Sequence, residues 1–415
     1  MHRTDTVVIG AGQAGLATSH RLTAAGRDHV VLERGRLAER WRSERWDSLH
    51  LLTPNWMTRL PGWAYQGDDP TGFMSVADLI DLFEGYAASF APPVEEQTTV
   101  ESVRRSGDGY EVRTDQGTWW AANVVIATGH CGHPLVPDAA GGLDPDVHQL
   151  TSNRYRNPAE LPDGGVLVVG ASSTGLQLAE ELARAGRDVV LSVGDHTRVP
   201  RRYRGMDIFW WLDQMGALEE KIEHHPAPEA ARRSPSLQLV GGPEPRDLDL
   251  AACRGLGVRL TGRMTTMDGH RVGFAPDLTD SVGRSELRMR RLLDRIDRHV
   301  TREHLASEVD PPVRPAPICP PEPLHRLHLD RAGISTVLWA TGYGRSYPWL
   351  HVPVLDEAGE IRHRRGVTPS PGLYVVGLRF QHRRSSNFID GVGRDAELIV
   401  DHLTARAVTH QEVTA

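Results

Sequence analysis

The chain has 415 residues, of which 39% are hydrophobic and 24% charged, and its formal net charge at pH 7 is −7. Such a composition is typical of a globular protein of two or three domains, and the negative balance excludes a basic surface for nucleic acid. The three cysteines form no CxxC pair, which fits a reducing cytoplasm. No apolar run approaches the ~20 residues of a membrane span. We therefore expect a cytoplasmic protein, and no signal peptide because the first strand begins by Thr6.

The first element is a short buried strand followed by glycines in the order GxGxxG and by a helix. Gly10 permits a tight turn, Gly12 lets a pyrophosphate approach the backbone, and Gly15 lets the helix and strand pack closely. The helix N-terminus offers N–H groups and a positive dipole end to phosphates. The next strand ends in Glu33, a carboxylate placed to accept hydrogen bonds from a ribose. This order predicts a bound dinucleotide, against the alternative of a purely structural glycine turn.

Tryptophans and arginines follow this unit, among them Trp41 and Arg45. An aromatic wall with guanidinium groups suits a flat ligand that carries phosphate. The alternative is an amphipathic surface helix followed by a turn at Pro54. Further on we predict an amphipathic helix over 76–86, a small antiparallel sheet over 98–121, and a buried strand over 124–126 that runs into an Ala-Thr-Gly turn.

A second unit begins at Val166 and repeats the plan of the first, except that Ser172 replaces the middle glycine. Its second strand, predicted over 189–193, ends without a carboxylate; it contains Ser192, and arginines follow. Because an acid repels a ribose 2′-phosphate whereas serine and arginine bind it, this unit favours NADP(H) over NAD(H). The alternative is a duplicated fold unit that binds no nucleotide.

The remaining elements are less regular. We predict an aromatic helix from Ile208, a loop over 226–245, a charged helix over 284–305 and a proline-rich connector over 311–323. A second strand with an Ala-Thr-Gly end follows over 336–342, then a strand over 372–377 and a stretch over 388–396 that leads into a C-terminal helix. The N-terminus of that helix is suited to stabilising negative charge on a flavin ring.

Together these motifs resemble the flavin-containing, class B-type flavoprotein monooxygenases, and more narrowly a bacterial branch of FAD- and NAD(P)-dependent oxidoreductases. The resemblance covers nearly the whole chain and is weakest over 206–330. It implies an α/β fold with two Rossmann-like dinucleotide-binding domains, FAD in the first and NADP(H) in the second. It also implies that the NADP domain is inserted into a discontinuous FAD domain. We accordingly expect the first part of the FAD domain at 1–160, the NADP-binding domain at 161–330 and the last part of the FAD domain at 331–415.

The family fingerprint FxGxxxHxxx(Y/F)(K/R) is only partly present. When it is aligned on Tyr155 and Arg156, Thr151 stands at the histidine position, Pro145 at the phenylalanine and Val147 at the first glycine. Tyrosine at 155, where tryptophan would be expected of a Baeyer–Villiger enzyme, argues against that specialisation. The missing fingerprint residues affect the expected coupling between the two domains more than they affect the predicted cofactor sites, which rest on other residues.

The candidate cofactor-binding residues lie at a glycine turn, at a strand end or in the segments that the resemblance places beside the flavin. In the flavin domain they are Gly10, Gly12, Gln13, Ala14, Gly15, Glu33, Arg34, Trp41, Arg45, Leu51, Val100, Thr128, Gly129 and Asp390. For the second unit they are Gly170, Ser172, Ser173, Thr174, Gly175, Ser192, Arg198, Arg202, Ala340, Thr341 and Gly342. Asn55 is the candidate catalytic residue near the flavin edge, against a structural role in the turn after Pro54. We predict no metal site, because His130-Cys131-Gly132-His133 lacks a second ligand cluster.

The resemblance implies that NADPH reduces FAD, that O2 adds to the reduced flavin, and that a flavin C4a-hydroperoxide transfers one oxygen atom to a small organic substrate. Nitrogen or sulfur is the favoured acceptor. Six aromatic residues are candidates for the substrate pocket, against ordinary core positions: Trp56, Trp63, Trp210, Trp211, Phe380 and Phe388. The expected partners are this substrate and O2, and a homodimer is compatible with the sequence. Two alternatives stay open, an NAD(P)H-dependent flavoprotein reductase that passes electrons to a quinone or a protein, and a non-catalytic redox-sensing flavoprotein.

Overall fold

The computed structural model describes the backbone of residues 1–414 and the side chains of residues 1–406. The strands are β1 His2–Ile9, β2 His29–Leu32, β3 Arg59–Leu60, β4 Trp63–Ala64, β5 Val94–Glu95, β6 Val100–Ser106, β7 Gly109–Thr114, β8 Gly117–Ile126, β9 His133–Pro134, β10 His148–Thr151, β11 Gly165–Val169, β12 Val189–Ser192, β13 Thr197–Arg198, β14 Arg202–Tyr203, β15 Met206–Asp207, β16 Leu237–Gln238, β17 Arg259–Thr261, β18 Met264–Asp268, β19 Arg271–Phe274, β20 Arg326–His328, β21 Ile334–Trp339, β22 Tyr343–Gly344 and β23 Leu373–Val375. The α-helices are α1 Gln13–Ala24, α2 Glu39–Ser43, α3 Val76–Phe90, α4 Ser173–Arg184, α5 Ile208–Gln214, α6 Pro228–Arg233, α7 Leu250–Gly255, α8 Leu278–Arg302 and α9 Ile389–Thr414.

The first large sheet has the strand order β5-β2-β1-β8-β7-β6, with β23 also paired to β8. Strand β8 is a single element: residues 117–121 pair antiparallel with β7, whereas residues 124–126 pair in parallel with β23. The antiparallel pairing predicted over 98–121 is confirmed, but its last strand and the buried strand predicted at 124–126 are one element. One continuous strand belongs to the hairpin at its beginning and to the parallel sheet at its end.

The second large sheet is entirely parallel and has the order β10-β21-β11-β12-β17. Two of its strands lie outside the predicted range 161–330, because β10 precedes that range and β21 follows it. Strand β21 lies between β10 and β11, so the two segments that enter and leave this sheet are neighbours at its edge.

The C-terminal part of the chain returns to the first sheet. Strand β23 pairs with β8, and residues of α9, including Val392, Ala396 and Ile399, share one buried core with residues of α1 and α3. The first domain is therefore discontinuous, and the second is inserted into it. This confirms the predicted α/β fold class with two Rossmann-like dinucleotide-binding domains.

Several local predictions differ from the structure. The predicted loop over 226–245 contains the short helix α6 and strand β16. The charged helix α8 begins at Leu278, six residues before its predicted start at Arg284, because a buried stripe that includes Val282 and Met289 continues through its first turns. Among residues 1–414, no helix combines the length and the hydropathy needed to cross a membrane.

Candidate active site at the joint of two nucleotide units

The first glycine turn is shaped by close backbone approach. Gly10 has φ of +105°, and a Cβ atom on Gly15 would lie 1.8 Å from the Gly10 carbonyl oxygen. A Cβ on Gly12 would meet no atom within 4 Å, and no side chain caps the N-terminus of α1 there. The turn therefore leaves open space in front of unpaired helix N–H groups, which is the environment that a pyrophosphate requires.

Glu33 lies at the end of β2 beside this turn and is buried. Its two carboxylate oxygens accept hydrogen bonds from the backbone N–H of Ala11 at 2.8 Å and of Gly35 at 3.1 Å. Each carboxylate oxygen has a second acceptor site, so the pre-oriented group can still bind ribose hydroxyls. Val100 is two residues beyond Thr98 in the sequence. The N–H of Thr98 donates to the Glu33 carbonyl oxygen, which places this segment beside Glu33.

Only some side chains of the tryptophan–arginine segment lie at the glycine turn. Trp41 Nε1 donates to Gln13 Oε1 at 3.4 Å, and the Arg45 guanidinium lies 5.0 Å from the Trp41 ring centre. These three side chains thus gather at the start of α1. Arg34 is different, because its exposed guanidinium binds Glu44 at 2.7 Å.

The other residues predicted for the flavin site occupy three places. Ala14 and Leu51 are buried, and Thr128 and Gly129 are half-buried directly after β8. Asp390 forms two hydrogen bonds with Arg59, at 2.5 and 2.8 Å, in the first turn of α9. Its carboxylate is therefore paired, and the backbone N–H groups of that turn are what α9 offers to a cofactor.

The second glycine turn reproduces the first. Gly170 has φ of +108°, and a Cβ on Gly175 would lie 1.8 Å from the Gly170 carbonyl oxygen. No side chain caps the N-terminus of α4 at Ser172. The Ser173 hydroxyl is engaged, because it donates to the carbonyl oxygen of Leu239 at 3.1 Å. What Ser173 and the half-buried Thr174 can offer a phosphate is therefore their backbone N–H groups.

Two residues predicted to bind the 2′-phosphate form hydrogen bonds or ion pairs within the protein. The Ser192 hydroxyl donates to the Gly262 carbonyl oxygen at 3.0 Å and accepts from the N–H of Met264 at 2.9 Å. Arg198 is 7% exposed, and its guanidinium is paired with Asp249 at 2.8 Å and Glu286 at 2.5 Å. Both groups are thus buried and already bonded within the domain, which argues against their binding the 2′-phosphate. Arg202 is exposed and stays a candidate.

Arg263 was missed by the sequence analysis. It follows β17, the neighbour of β12, and its Nε lies 3.9 Å from where a Cβ of Gly194 would be, just beyond the end of β12. Its side chain is 56% exposed, and its ion-pair distance to Asp277 is a long 3.9 Å. The end of the second strand is where the ribose 2′-position lies in such units. The three-residue strand β17 gives too short a pattern to be found from sequence.

The two units are joined directly behind their Ala-Thr-Gly turns. The N–H of Leu135 donates to the Gly342 carbonyl oxygen at 2.9 Å, and the Thr341 hydroxyl donates to the Leu135 carbonyl oxygen. Strands β9 and β22 pair antiparallel at the same place. Gly170 packs against the carbonyl oxygen of Ala340, so the joint is part of the second nucleotide unit.

The loop that includes Asn55 is held by contacts from both domains. The Asn55 amide accepts from Met74 N–H and donates to the Asp69 carbonyl oxygen, both at 2.9 Å, and the residue is 5% exposed. Arg201 of the second domain donates to the Leu52 carbonyl oxygen at 2.8 Å. Because both ends of the amide hold the backbone at 69–74, these contacts support the structural alternative, and the catalytic role of Asn55 stays a prediction.

A cavity of about 590 Å³ lies beside this loop and is lined by Asn55, Trp63 and Phe73, among others. Of the other predicted pocket aromatics, Trp211 and Phe380 are buried core residues. Trp56, Trp210 and Phe388 are partly buried and pack against the core cluster that contains Trp211. The ordinary core role is thus correct for Trp211 and Phe380.

A perturbed thiol lies directly after the first Ala-Thr-Gly turn. Burial by itself would raise the pKa of Cys131, but His130, Arg45 and Arg40 together lower it to about 7. A large fraction of Cys131 is therefore thiolate near neutral pH. By contrast, burial raises the pKa of Cys253 to about 12.

Comparisons with known proteins agree with this architecture. A family model described as "Pyridine nucleotide-disulphide oxidoreductase" matches residues 7–205. The chain is 32% identical over 405 residues to an uncharacterized CzcO-like oxidoreductase of Geobacillus kaustophilus, covering 97% of this chain and 99% of that protein. It is 32% identical over 225 residues to the indole-3-pyruvate monooxygenase YUCCA6 of Arabidopsis thaliana, covering 50% and 52% of the two chains. A flavin-containing monooxygenase from Stenotrophomonas maltophilia shares the fold with a TM-score of 0.68 at 18% identity, over 98% of this chain and 100% of that one.

Proposed function

The chain belongs to the CzcO-like family of flavin-dependent oxidoreductases, and on that premise we propose that it is an NADPH- and FAD-dependent monooxygenase. It would transfer one oxygen atom of O2 to a small organic substrate, with nitrogen or sulfur as the favoured acceptor. FAD and NADPH are its cofactors, and both glycine turns have the open space and uncapped helix N-termini that these cofactors need.

One observation supports the proposal most directly: two equivalent nucleotide units are joined at their Ala-Thr-Gly turns. The hydrogen bond from Leu135 to Gly342 and the β9–β22 pair connect the segments that leave the two sheets. Parallel α/β sheets bind ligands beyond the carboxyl ends of their strands. Two nucleotides bound in this way lie close to the same joint, as hydride transfer from one to the other requires.

The bound flavin supplies the redox and oxygen chemistry. The chain binds its phosphates at the Gly10–Gly15 turn and its ribose at Glu33, while the N-terminus of α9 offers a positive dipole end. In the second unit we assign the 2′-phosphate to Arg263, with Arg202 as a further candidate. From the sheet membership of β10 and β21 we propose that the NADP-binding domain spans 148–339.

The test is the coupling of NADPH oxidation to product formation. Purified holoenzyme is supplied with NADPH, isotopically labelled O2 and a panel of amines, sulfides and indoles. A monooxygenase yields product that contains one labelled oxygen atom for each NADPH consumed. Full turnover without O2, or NADPH oxidation that never yields oxygenated product with any compound, would contradict the proposal.

A second candidate, the flavoprotein reductase, is favoured by the depressed pKa of Cys131 at the joint. A reductase that uses this thiol would transfer electrons to an acceptor anaerobically and would lose that activity in Cys131→Ser. The monooxygenase proposal expects Cys131→Ser to keep the coupling of NADPH to product. A redox sensor would bind FAD and turn over very slowly with every compound and acceptor.

A further inference from the structure

Two segments that are distant in the sequence meet at the outer edge of the second sheet. One is the segment 142–147, which leads into the edge strand β10, and the other is the turn between β18 and β19. The N–H of Gly269 donates to the Gly142 carbonyl oxygen at 2.8 Å, and the N–H of Asp144 donates to the Gly269 carbonyl oxygen at 3.2 Å. These backbone bonds set the position of the side chains that project from both segments.

Three of those side chains converge: Asp144, Asp146 and His270. Their ligand atoms all lie within 4.8 Å of one another. His270 Nε2 is 3.4 Å from Asp146 Oδ1 and 3.8 Å from Asp144 Oδ2. Both separations exceed the 2.7–3.2 Å of an N–H···O hydrogen bond but lie within the range of an ion pair. An ion pair requires a protonated imidazole, so it does not account for the arrangement when the imidazole is neutral.

A shared metal ion does account for it. Zinc is bound by histidine nitrogen and carboxylate oxygen at about 2.0–2.2 Å, and tetrahedral geometry then separates two ligand atoms by about 3.4 Å. The observed distances from the imidazole nitrogen to the carboxylate oxygens are close to this value. Two carboxylates and one imidazole would make a net charge of −2 when the histidine is neutral, and a divalent cation neutralises it.

The histidine is also oriented for this task. Its ring stacks on that of His328, with the ring centres 5.8 Å apart and an angle of 11° between the planes. Its carbonyl oxygen accepts from the N–H of Leu329 at 2.8 Å. Asp144 accepts a hydrogen bond from the N–H of Asp146 at 3.3 Å, so the Asp144 carboxylate is held by a local turn. The imidazole and one of the two carboxylates are therefore positioned before an ion arrives.

We propose that Asp144, Asp146 and His270 bind one divalent transition-metal ion, with Zn²⁺ as the best fit to a mixed nitrogen and oxygen set. The ion would tie the β18–β19 turn to the segment that leads into β10, and so fix the edge of the second sheet. Three protein ligands leave a fourth position for water. This site is separate from the two glycine turns and does not depend on the proposed oxygenation.

The experiment is zinc titration of full-length protein that has been freed of metal with a chelating resin. Calorimetry should give one saturable site, and Zn²⁺ should raise the melting temperature. Asp146→Asn and His270→Ala should each weaken binding by at least about 100-fold and abolish the thermal shift. Asp268→Asn is the matched control, because it removes an exposed carboxylate from the same hairpin and should leave the affinity unchanged.

Replacement of Zn²⁺ by Co²⁺ gives a second readout, since visible absorption bands report the coordination directly. Circular dichroism checks that each variant is folded, and Asp146 is exposed enough (69%) for its replacement to be tolerated. The proposal is overturned if metal-free protein shows no saturable binding. It is equally overturned if both ligand variants bind as tightly as the parent, which would place the ion elsewhere, for example at His130 and His133.

Discussion

Gly241 of the inserted domain lies directly against the carbonyl oxygen of Leu51 in the first domain, so close that a Cβ on Gly241 would be 2.0 Å from that oxygen. Gly241→Ala should therefore push apart the inserted domain and the loop that includes Asn55. We expect a loss of about 1–3 kcal/mol in the free energy of unfolding, measured by urea denaturation. Gly242→Ala is the control, because a Cβ there would meet no atom within 4 Å. Equal stability of the two variants would refute the close contact.

Gly12→Ala should weaken FAD binding, whereas Gly15→Ala should lower the stability of the fold. Gly12 has φ of −84° and open space where a Cβ would be, so the alanine variant should fold but bind FAD about tenfold or more weakly, roughly 1.4 kcal/mol. A Cβ on Gly15 would clash with the Gly10 backbone, so that variant should lose stability itself. Flavin absorbance and thermal melting measure the two effects. Normal FAD content in Gly12→Ala would argue against a phosphate at this turn.

Arg263→Ala should remove the preference for NADPH. A charge-assisted pair with the 2′-phosphate would be lost, and we expect KM for NADPH to rise about tenfold or more while KM for NADH stays constant. Arg259→Ala is the matched control, since Arg259 lies on β17, the strand that Arg263 follows, but pairs with Asp188 at 2.8 Å. Steady-state kinetics with both cofactors provides the comparison, and an unchanged preference in Arg263→Ala would exclude this assignment.

Glu286→Ala should be strongly destabilising, because it leaves the buried Arg198 with one charge partner fewer. Breaking a buried ion pair costs about 3–5 kcal/mol. The control is Glu101→Ala, which breaks the ion pair with Arg113 in which the two side chains are 45% and 61% exposed, so about 0.5 kcal/mol or less is expected. Similar denaturation midpoints for the two variants would contradict the buried network.

The thiol of Cys131 should react with iodoacetamide in a pH-dependent way. Since the pKa is lowered to about 7, the thiolate fraction and the rate should rise between about pH 6 and 8 and level off above. Mass spectrometry should find Cys253, whose pKa is raised by burial to about 12, unmodified over the same range. Arg45→Ala should move the pH midpoint of the Cys131 reaction to higher pH. An unchanged midpoint would show that Arg45 does not lower the pKa of Cys131.

The amino-acid sequence by itself determined the features that depend on local pattern. Glycine spacing, buried strands and the terminal Glu33 predict both nucleotide units, because these constraints act within about 30 residues. The Ala-Thr-Gly repeats contributed to the family resemblance, and the resemblance predicted that one domain is inserted into the other. The order of strands in the two sheets confirms this insertion. The bounds of the loop over 226–245 and of the charged helix were less accurate. Strands β10 and β21 join their sheet by pairing between distant segments and not by a local signal.

Only the tertiary structure decided what each polar side chain faces. Arg198 and Ser192 stand in the predicted order for a phosphate site, yet they are bonded to Asp249, Glu286 and Gly262 from other segments. Arg263 reaches the end of β12 from a neighbouring strand, and Asp144 meets His270 across more than a hundred residues of chain. A side chain's partner depends on which distant segments pack beside it. Burial and pairing across the folded chain, rather than spacing along it, therefore assign these residues their roles.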